Sequence, residues 1–191
     1  MTELPEPTLQ HLLCALLLVA RVGDVATTYL VTPTLALEAN PLVRWLGWRF
    51  ALLTIAVCAL PYVSLEIAVA VLMTSLLVSA SNAGKVWIAR TMGEAAFEQF
   101  LIEMAHRSKM SQALMSVLAS GGFIILAGAV VLMFYGSPSS DWGFWLGLGI
   151  VTYGIALSLH GSLWTVRLFR KAHAARERDG ATQQGDEADE R

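Results

Sequence analysis

Charge is what this sequence has least of. Asp, Glu, Lys and Arg together make up 15% of its residues, against about 25% in soluble domains. That deficit excludes a soluble single domain, and 55% hydrophobic residues exclude a disordered chain as well. Two cysteines are too few for a disulfide scaffold. The glycines and prolines follow no triplet period, so the chain is not collagen-like. A formal net charge of −2 gives no basis for a nucleic-acid partner. HExxH, CxxC and nucleophile-elbow patterns are missing too, which leans against an enzyme. What remains is a small all-α, polytopic protein whose first partner is the lipid bilayer.

A bilayer core about 30 Å thick needs roughly 20 apolar helical residues to cross it. Five stretches meet that need: Leu9–Val31, Pro41–Leu60, Ser64–Ala89, Gln112–Tyr135 and Trp142–Phe169. The hairpin between the second and third holds Pro61, which breaks a helix that would otherwise be far too long for a bilayer. The expected architecture is therefore a five-helix transmembrane bundle over residues 9–169. It is preceded by a short outer N-terminus at 1–8 and followed by a disordered, solvated tail at 170–191.

Charge placement orients it. The N-terminus, the Pro61 hairpin and the Gly136–Asp141 loop contain no Lys or Arg. Of the 13 basic residues, all but Arg21 fall on the opposite side, from Arg44 and Arg49 through Lys85, Arg90, Arg107 and Lys109 to Arg167 and beyond. The positive-inside rule then places the N-terminus outside and the C-terminus inside. A bacterial or archaeal cytoplasmic membrane is the expected location. The opening residues Met1-Thr2-Glu3-Leu4-Pro5-Glu6 lack the basic start of a signal peptide, so the first span is expected to remain in the mature protein.

Between the third and fourth spans, Glu94–Arg107 sets Phe97, Phe100, Leu101 and Met104 apart from Glu94, Glu98, Glu103 and Arg107. This is amphipathic spacing, with Glu103 and Arg107 a favourable i,i+4 pair. Membrane-surface helices usually carry basic polar faces. An acidic one is expected to pack on the protein's own inner face. Small residues at Gly143, Gly147, Gly154, Ser158 and Ser162, and at Ser116 and Ser120, predict close helix approach within the fold or between protomers. Cys14 and Cys58 read as small buried hydrophobes, with a bridge the alternative on an oxidising face.

Ionisable residues inside a bilayer are costly and usually face a cavity or the bundle interior. Arg21, Asp24, Thr27 and Thr28 share one face of the first span, and Ser75, Ser79, Asn82 and Lys85 share one on the third. Asp24, Asn82 and His160 fall at one depth, about two-thirds of the way inward at 1.5 Å per residue. Just below lies the connection carrying Glu38 and Asn40-Pro41, where Asn40 reads as an N-cap with proline following it. Glu38 suits the dipole of the helix that follows, or closes the Asp24 site from beneath. The candidate ligand-binding set is therefore Arg21, Asp24, Thr28, Glu38, Asn40, Asn82 and His160. Each has a plainer account. Asp24 pairs with Arg21 or Arg44, and Asn82 and the serines bond helix to helix. His160 is then a satisfied interhelical histidine.

Asp24-x3-Thr28 on a first span, followed by Glu38-x-Asn40-Pro41-Leu42, resembles the signature of a widespread family of small polytopic membrane proteins known as a domain of unknown function. The resemblance covers residues 15–90 and brings a fold but no reaction. Three functions follow from the residues. The first is a site open to the cytoplasm that binds or transports a small solute or cation, whose five spans imply a homo-oligomer. The second is an accessory subunit of a membrane complex, with a partner membrane subunit. The third is a membrane-embedded enzyme acting on a lipid head group, with His160 as base and Asp24 as its orienting carboxylate, or with both joining Glu38 around a divalent metal. Neither a cofactor nor a particular metal is indicated. The first reading is preferred.

Overall fold

The computed structural model describes residues 6–38, 40–136 and 142–189. Residues 1–5, residue 39, most of the Gly136–Asp141 loop and the last two residues lie outside the described set. In chain order the helices are α1 (Glu6–Val31), α2 (Pro41–Leu46), α3 (Arg49–Ala56), α4 (Leu65–Met92), α5 (Glu94–Arg107), α6 (Met110–Tyr135) and α7 (Trp142–Asp189). The fold is all-α, with no strand among the described residues. Four helices, α1, α4, α6 and α7, are long and apolar enough to span a membrane.

The expected second span is not one helix. Asn40 caps α2, its side chain accepting a hydrogen bond from the Leu42 backbone N–H at 3.0 Å. The helix then stops at Gly47, whose φ of 58° and ψ of −149° suit glycine and few other residues. The chain resumes at Arg49 and tightens from Val57 to Tyr62 into a 3-10 turn that contains Pro61. The apolar piece that is left, Arg49–Tyr62, is shorter than a regular span. It nevertheless runs the length of α1. Trp48 meets Tyr29 edge-on and donates to the Pro33 carbonyl at 3.0 Å, while Tyr62 bonds His11 at 2.7 Å.

α1 and α4 run side by side in the same direction. Leu17 packs with Ala68 and Cys58 in the buried cluster near one end. Toward the other end Ser79 Oγ donates to the Ala20 carbonyl at 3.1 Å, and Asn82 reaches Thr28. Cys14 packs against that cluster, and both cysteines are free thiols. α7 joins this pair through Gly149, where Thr74 Oγ1 donates to the Gly149 carbonyl at 3.0 Å. α6 is antiparallel to α7. A side chain at Gly121 would come within 2.9 Å of the Gly154 carbonyl, and one at Gly154 within 2.9 Å of the Gly121 carbonyl. Of the expected small-residue faces, the one on α7 is therefore used, whereas on α6 the contact is made by Gly121 and Gly128. Ser116 and Ser120 are exposed, and Ser120 bonds back to its own helix.

These directions gather the ends of α1, α4 and α7 with the start of α6 at one end of the bundle, where α5 lies. Helical backbone also continues to Asp189, so the segment expected as a disordered tail from residue 170 extends α7. Its Ala, Arg, Glu and Gln content favours helix. Large apolar side chains such as Leu52, Phe123 and Phe134 point outward, at 71%, 72% and 84% exposure, consistent with contact to a bilayer.

The glycine contact makes a stability prediction. Gly154→Leu is expected to lower unfolding free energy in detergent by about 1–3 kcal/mol, the usual cost of overpacking. Gly84→Leu, where no atom lies within 4 Å, should leave the melting temperature unchanged. Equal melts for the two variants contradict the α6–α7 packing.

Candidate functional site

Arg21 and Asp24 are one turn apart on α1. Arg21 Nη1 bonds Asp24 Oδ2 at 3.3 Å, and both side chains are about one-fifth exposed. The buried Nε of Arg21 has no partner among the described residues. Of the sequence-based alternatives for Asp24, the partner present is Arg21. Thr27 closes on its own helix, donating to the Gly23 carbonyl at 2.8 Å and the Asp24 carbonyl at 3.1 Å. Thr28 turns toward α4, where Asn82 Nδ2 donates to its Oγ1 over a long 3.4 Å. Ser75, fully buried, bonds the Val71 carbonyl. The polar stripe of α4 thus faces α1 along Ser79 and Asn82.

Glu38 lies below this layer. One oxygen accepts the Asn40 backbone N–H at 2.8 Å, which fixes the entry to α2. Its charge also acts on both Asp24 and Lys85. Glu38 is thus within electrostatic reach both of Asp24, which pairs with Arg21, and of Lys85. Asn40 belongs to this connection as a cap, with its side-chain oxygen already engaged. His160 is not brought to Asp24 by any contact; its Nδ1 bonds the Ala156 carbonyl of its own helix at 3.0 Å. Among the described residues no three His, Cys, Asp or Glu side chains stand close enough to hold one ion. Beside the layer, an almost wholly apolar groove of about 340 Å³ runs between α1 and α3. Arg21, Val25, Tyr29, Trp48 and Thr54 are among the residues that line it.

Sequence reasoning missed one feature of this end. Glu94, which opens α5, is cradled by the α1–α2 connection. Thr32 Oγ1 donates to its Oε1 at 2.5 Å and Thr34 Oγ1 at 2.9 Å, while the Thr34 backbone N–H donates to Oε2 at 3.2 Å. Partial burial raises the Glu94 pKa, but these donors and the Ala36 backbone outweigh it and hold the carboxyl below its usual 4.5. Donors to the ionised form favour it. The contact joins residues 60 or more apart in sequence. The sequence signal was limited to a Thr-Pro-Thr turn and an acid directly after Gly93.

In comparisons with known proteins, no family model, no curated protein and no solved structure matches the chain.

The Glu94 cradle has a pH signature. A depressed folded-state pKa adds stability above the unfolded value of 4.5 and loses it as pH falls through the lower folded value. Glu94→Gln is expected to cost about 1 kcal/mol at neutral pH, a charge-assisted bond discounted for partial exposure. The difference between wild type and variant should close below pH 4.5. Thermal melts across that range check it; a gap independent of pH contradicts the assignment.

Proposed function

We propose that the chain is an integral membrane protein of a bacterial or archaeal cytoplasmic membrane, with five crossings, the N-terminus outside and the C-terminus inside. Four of the crossings rest on helices of sufficient length and apolarity. The fifth is supported by the contacts of Trp48 and Tyr62 with opposite ends of α1. His11 and Tyr29 are 18 residues apart on that helix, about 27 Å at 1.5 Å per residue, close to a hydrocarbon thickness. The segment from Trp48 to Tyr62 covers the same depth. The distribution of basic residues supports the orientation.

Within that frame the Asp24 layer binds or transports a small solute or cation from the inner side, in a homo-oligomer. The observation that carries this reading is the Arg21–Asp24 pair on an apolar helix, with the Glu38 charge of the α1–α2 connection acting on both Asp24 and Lys85. Intramembrane charges commonly mark substrate or ion pathways. Because the four charges balance, a dipolar solute suits the layer better than a bare divalent cation, which prefers an excess of anionic oxygens. The resemblance of Asp24-x3-Thr28 and Glu38-x-Asn40-Pro41 to a domain of unknown function agrees with this placement and adds no activity.

A second reading has one observation in its favour. Ser79 bonds the α1 backbone and Asn82 bonds Thr28, so part of the layer serves as a helix–helix lock, as in an accessory subunit. Proteoliposome recordings separate the two. Concentration jumps of sodium, potassium, glycine and betaine are expected to give a current or uptake signal for at least one of them. Asp24→Asn should reduce that signal about tenfold or more, and Glu38→Gln, which leaves the Arg21–Asp24 pair intact, should reduce it with the melting temperature close to wild type. An unchanged signal in Asp24→Asn removes the binding site. No signal from any of the four, together with a stoichiometric partner on purification, favours the accessory reading.

A further inference from the structure

α3 and its 3-10 extension hold to α1 at both ends and stand off between them. At one end Trp48 meets Tyr29 edge-on and bonds the Pro33 carbonyl. At the other, Cys58 joins Leu17 in the buried cluster. Between the two contacts lies the groove of about 340 Å³, with Leu18, Val22 and Val25 on one wall and Ala51, Thr54 and Ile55 on the other. Its walls offer an occupant no charge to match. Thr54 Oγ1 donates to the Ala51 carbonyl at 2.8 Å, Arg21 Nη1 is turned to Asp24, and the surface that remains is almost wholly apolar.

The dimensions of the groove select among apolar occupants. Along α1 it runs from Leu18 to Tyr29, about 17 Å at 1.5 Å per residue, and along α3 from Trp48 to Ile55, about 10 Å. A volume of about 340 Å³ over those lengths leaves a mean cross-section of about 20–35 Å². A helix about 10 Å across with its side chains has more than twice that section, so no helix of a second copy enters. The ten residues that line the groove are also far fewer than the roughly 20–30 a side of a stable protein interface. One extended hydrocarbon chain fits. The depth agrees, because Leu18–Tyr29 covers the half of the His11–Tyr29 stretch nearer α5, and half of a hydrocarbon core is about 15 Å. Tyr29 and Trp48 stand at the mouth, where aromatic rings anchor at head-group level. Hydrophobicity alone does not fill the groove, since lipid tails are as apolar as leucine. Packing does: a chain seated there meets protein on several sides, and an empty gap forfeits those dispersion contacts.

We propose that the groove between α1 and α3 holds one acyl chain of a phospholipid from the leaflet at the α5 end, and that this chain completes the packing of α3 on α1. The head group stays at the level of Trp48 and is not selected. The site rests on the membrane reading and not on solute binding at the Asp24 layer.

Phospholipid carrying a diazirine within one acyl chain, in vesicles that contain the full protein, tests it. After illumination, labelling of Val22 and Ile55 is expected to exceed that of Leu118 and Phe123, exposed on α6, by about tenfold, a packing preference of modest size. Phosphatidylcholine and phosphatidylglycerol probes should label alike. Ala51→Phe, which fills the groove from α3, and Ala26→Phe, which fills it from α1, should each bring Val22 and Ile55 down to the α6 level and leave Phe123 unchanged. Groove labelling no stronger than that of α6 in wild type overturns the proposal, whether the space is empty or taken by a second copy. So does labelling that survives both substitutions. A strong preference for the phosphatidylglycerol probe overturns binding through the chain alone. Failure of the protein to enter vesicles overturns the membrane reading with it, whereas an absence of solute currents bears only on the Asp24 layer.

Discussion

An arginine and an aspartate one turn apart on an otherwise apolar helix set the terms for the rest of this bundle. Charges taken out of water are costly unless paired and hydrogen-bonded, and the cost is greatest within a hydrocarbon layer. Arg21 and Asp24 meet it first by pairing with each other. The neighbours complete the arrangement. α4 brings Ser79 and Asn82 to the same face of α1, and the α1–α2 connection brings the Glu38 charge beneath it. α1 is thus packed by α4 along one side and by α3 and its 3-10 extension along another.

The acidic residues at the α5 end of the bundle divide into two kinds. Glu94 is fully engaged, with two threonine hydroxyls and backbone donors around it, and it fastens α5 to the connection that precedes α2. Glu98 fastens the same helix to α7 through Lys171. Asp24 and Glu38 keep oxygens that no described contact uses. The contrast is one of remaining capacity, since Asp24 also pairs with Arg21 and Glu38 also fixes the entry to α2. Through Glu94 and Glu98 the acidic helix α5 is fastened to the α1–α2 connection and to α7.

Much of the helical layout was readable in advance, because the spans are long and their caps are local. Asn40 before Pro41 and Ser64 before α4 mark helix starts within a few residues of sequence. The break at Gly47 was less visible, since a single glycine in an apolar run stops a helix only if the chain takes the left-handed turn seen there. The face by which α6 meets α7 was not foreseen for a similar reason. Serines and glycines both permit close approach, and only packing against α7 selects Gly121 and Gly128. Of the candidate site, Arg21–Asp24 and Thr28–Asn82 come together as helix faces predict. His160, placed at the same depth by counting residues, bonds its own helix, because depth along a helix says nothing of rotation about it. The Glu94 cradle joins distant segments, and no local pattern announces it.

Binding at the Asp24 layer requires that water reach it from the end of the bundle bearing the basic residues. The most direct measurement is cysteine labelling in sealed vesicles of known orientation, in a chain with Cys14 and Cys58 replaced by alanine. Single cysteines at Thr28 and Leu17 are treated with a membrane-impermeant thiol reagent from either side. Thr28→Cys is expected to label from the side of Lys109 and not from the side of Tyr62, while Leu17→Cys, wholly buried, stays unlabelled from both. A Thr28→Cys as silent as Leu17→Cys, or one labelled only from the Tyr62 side, contradicts it.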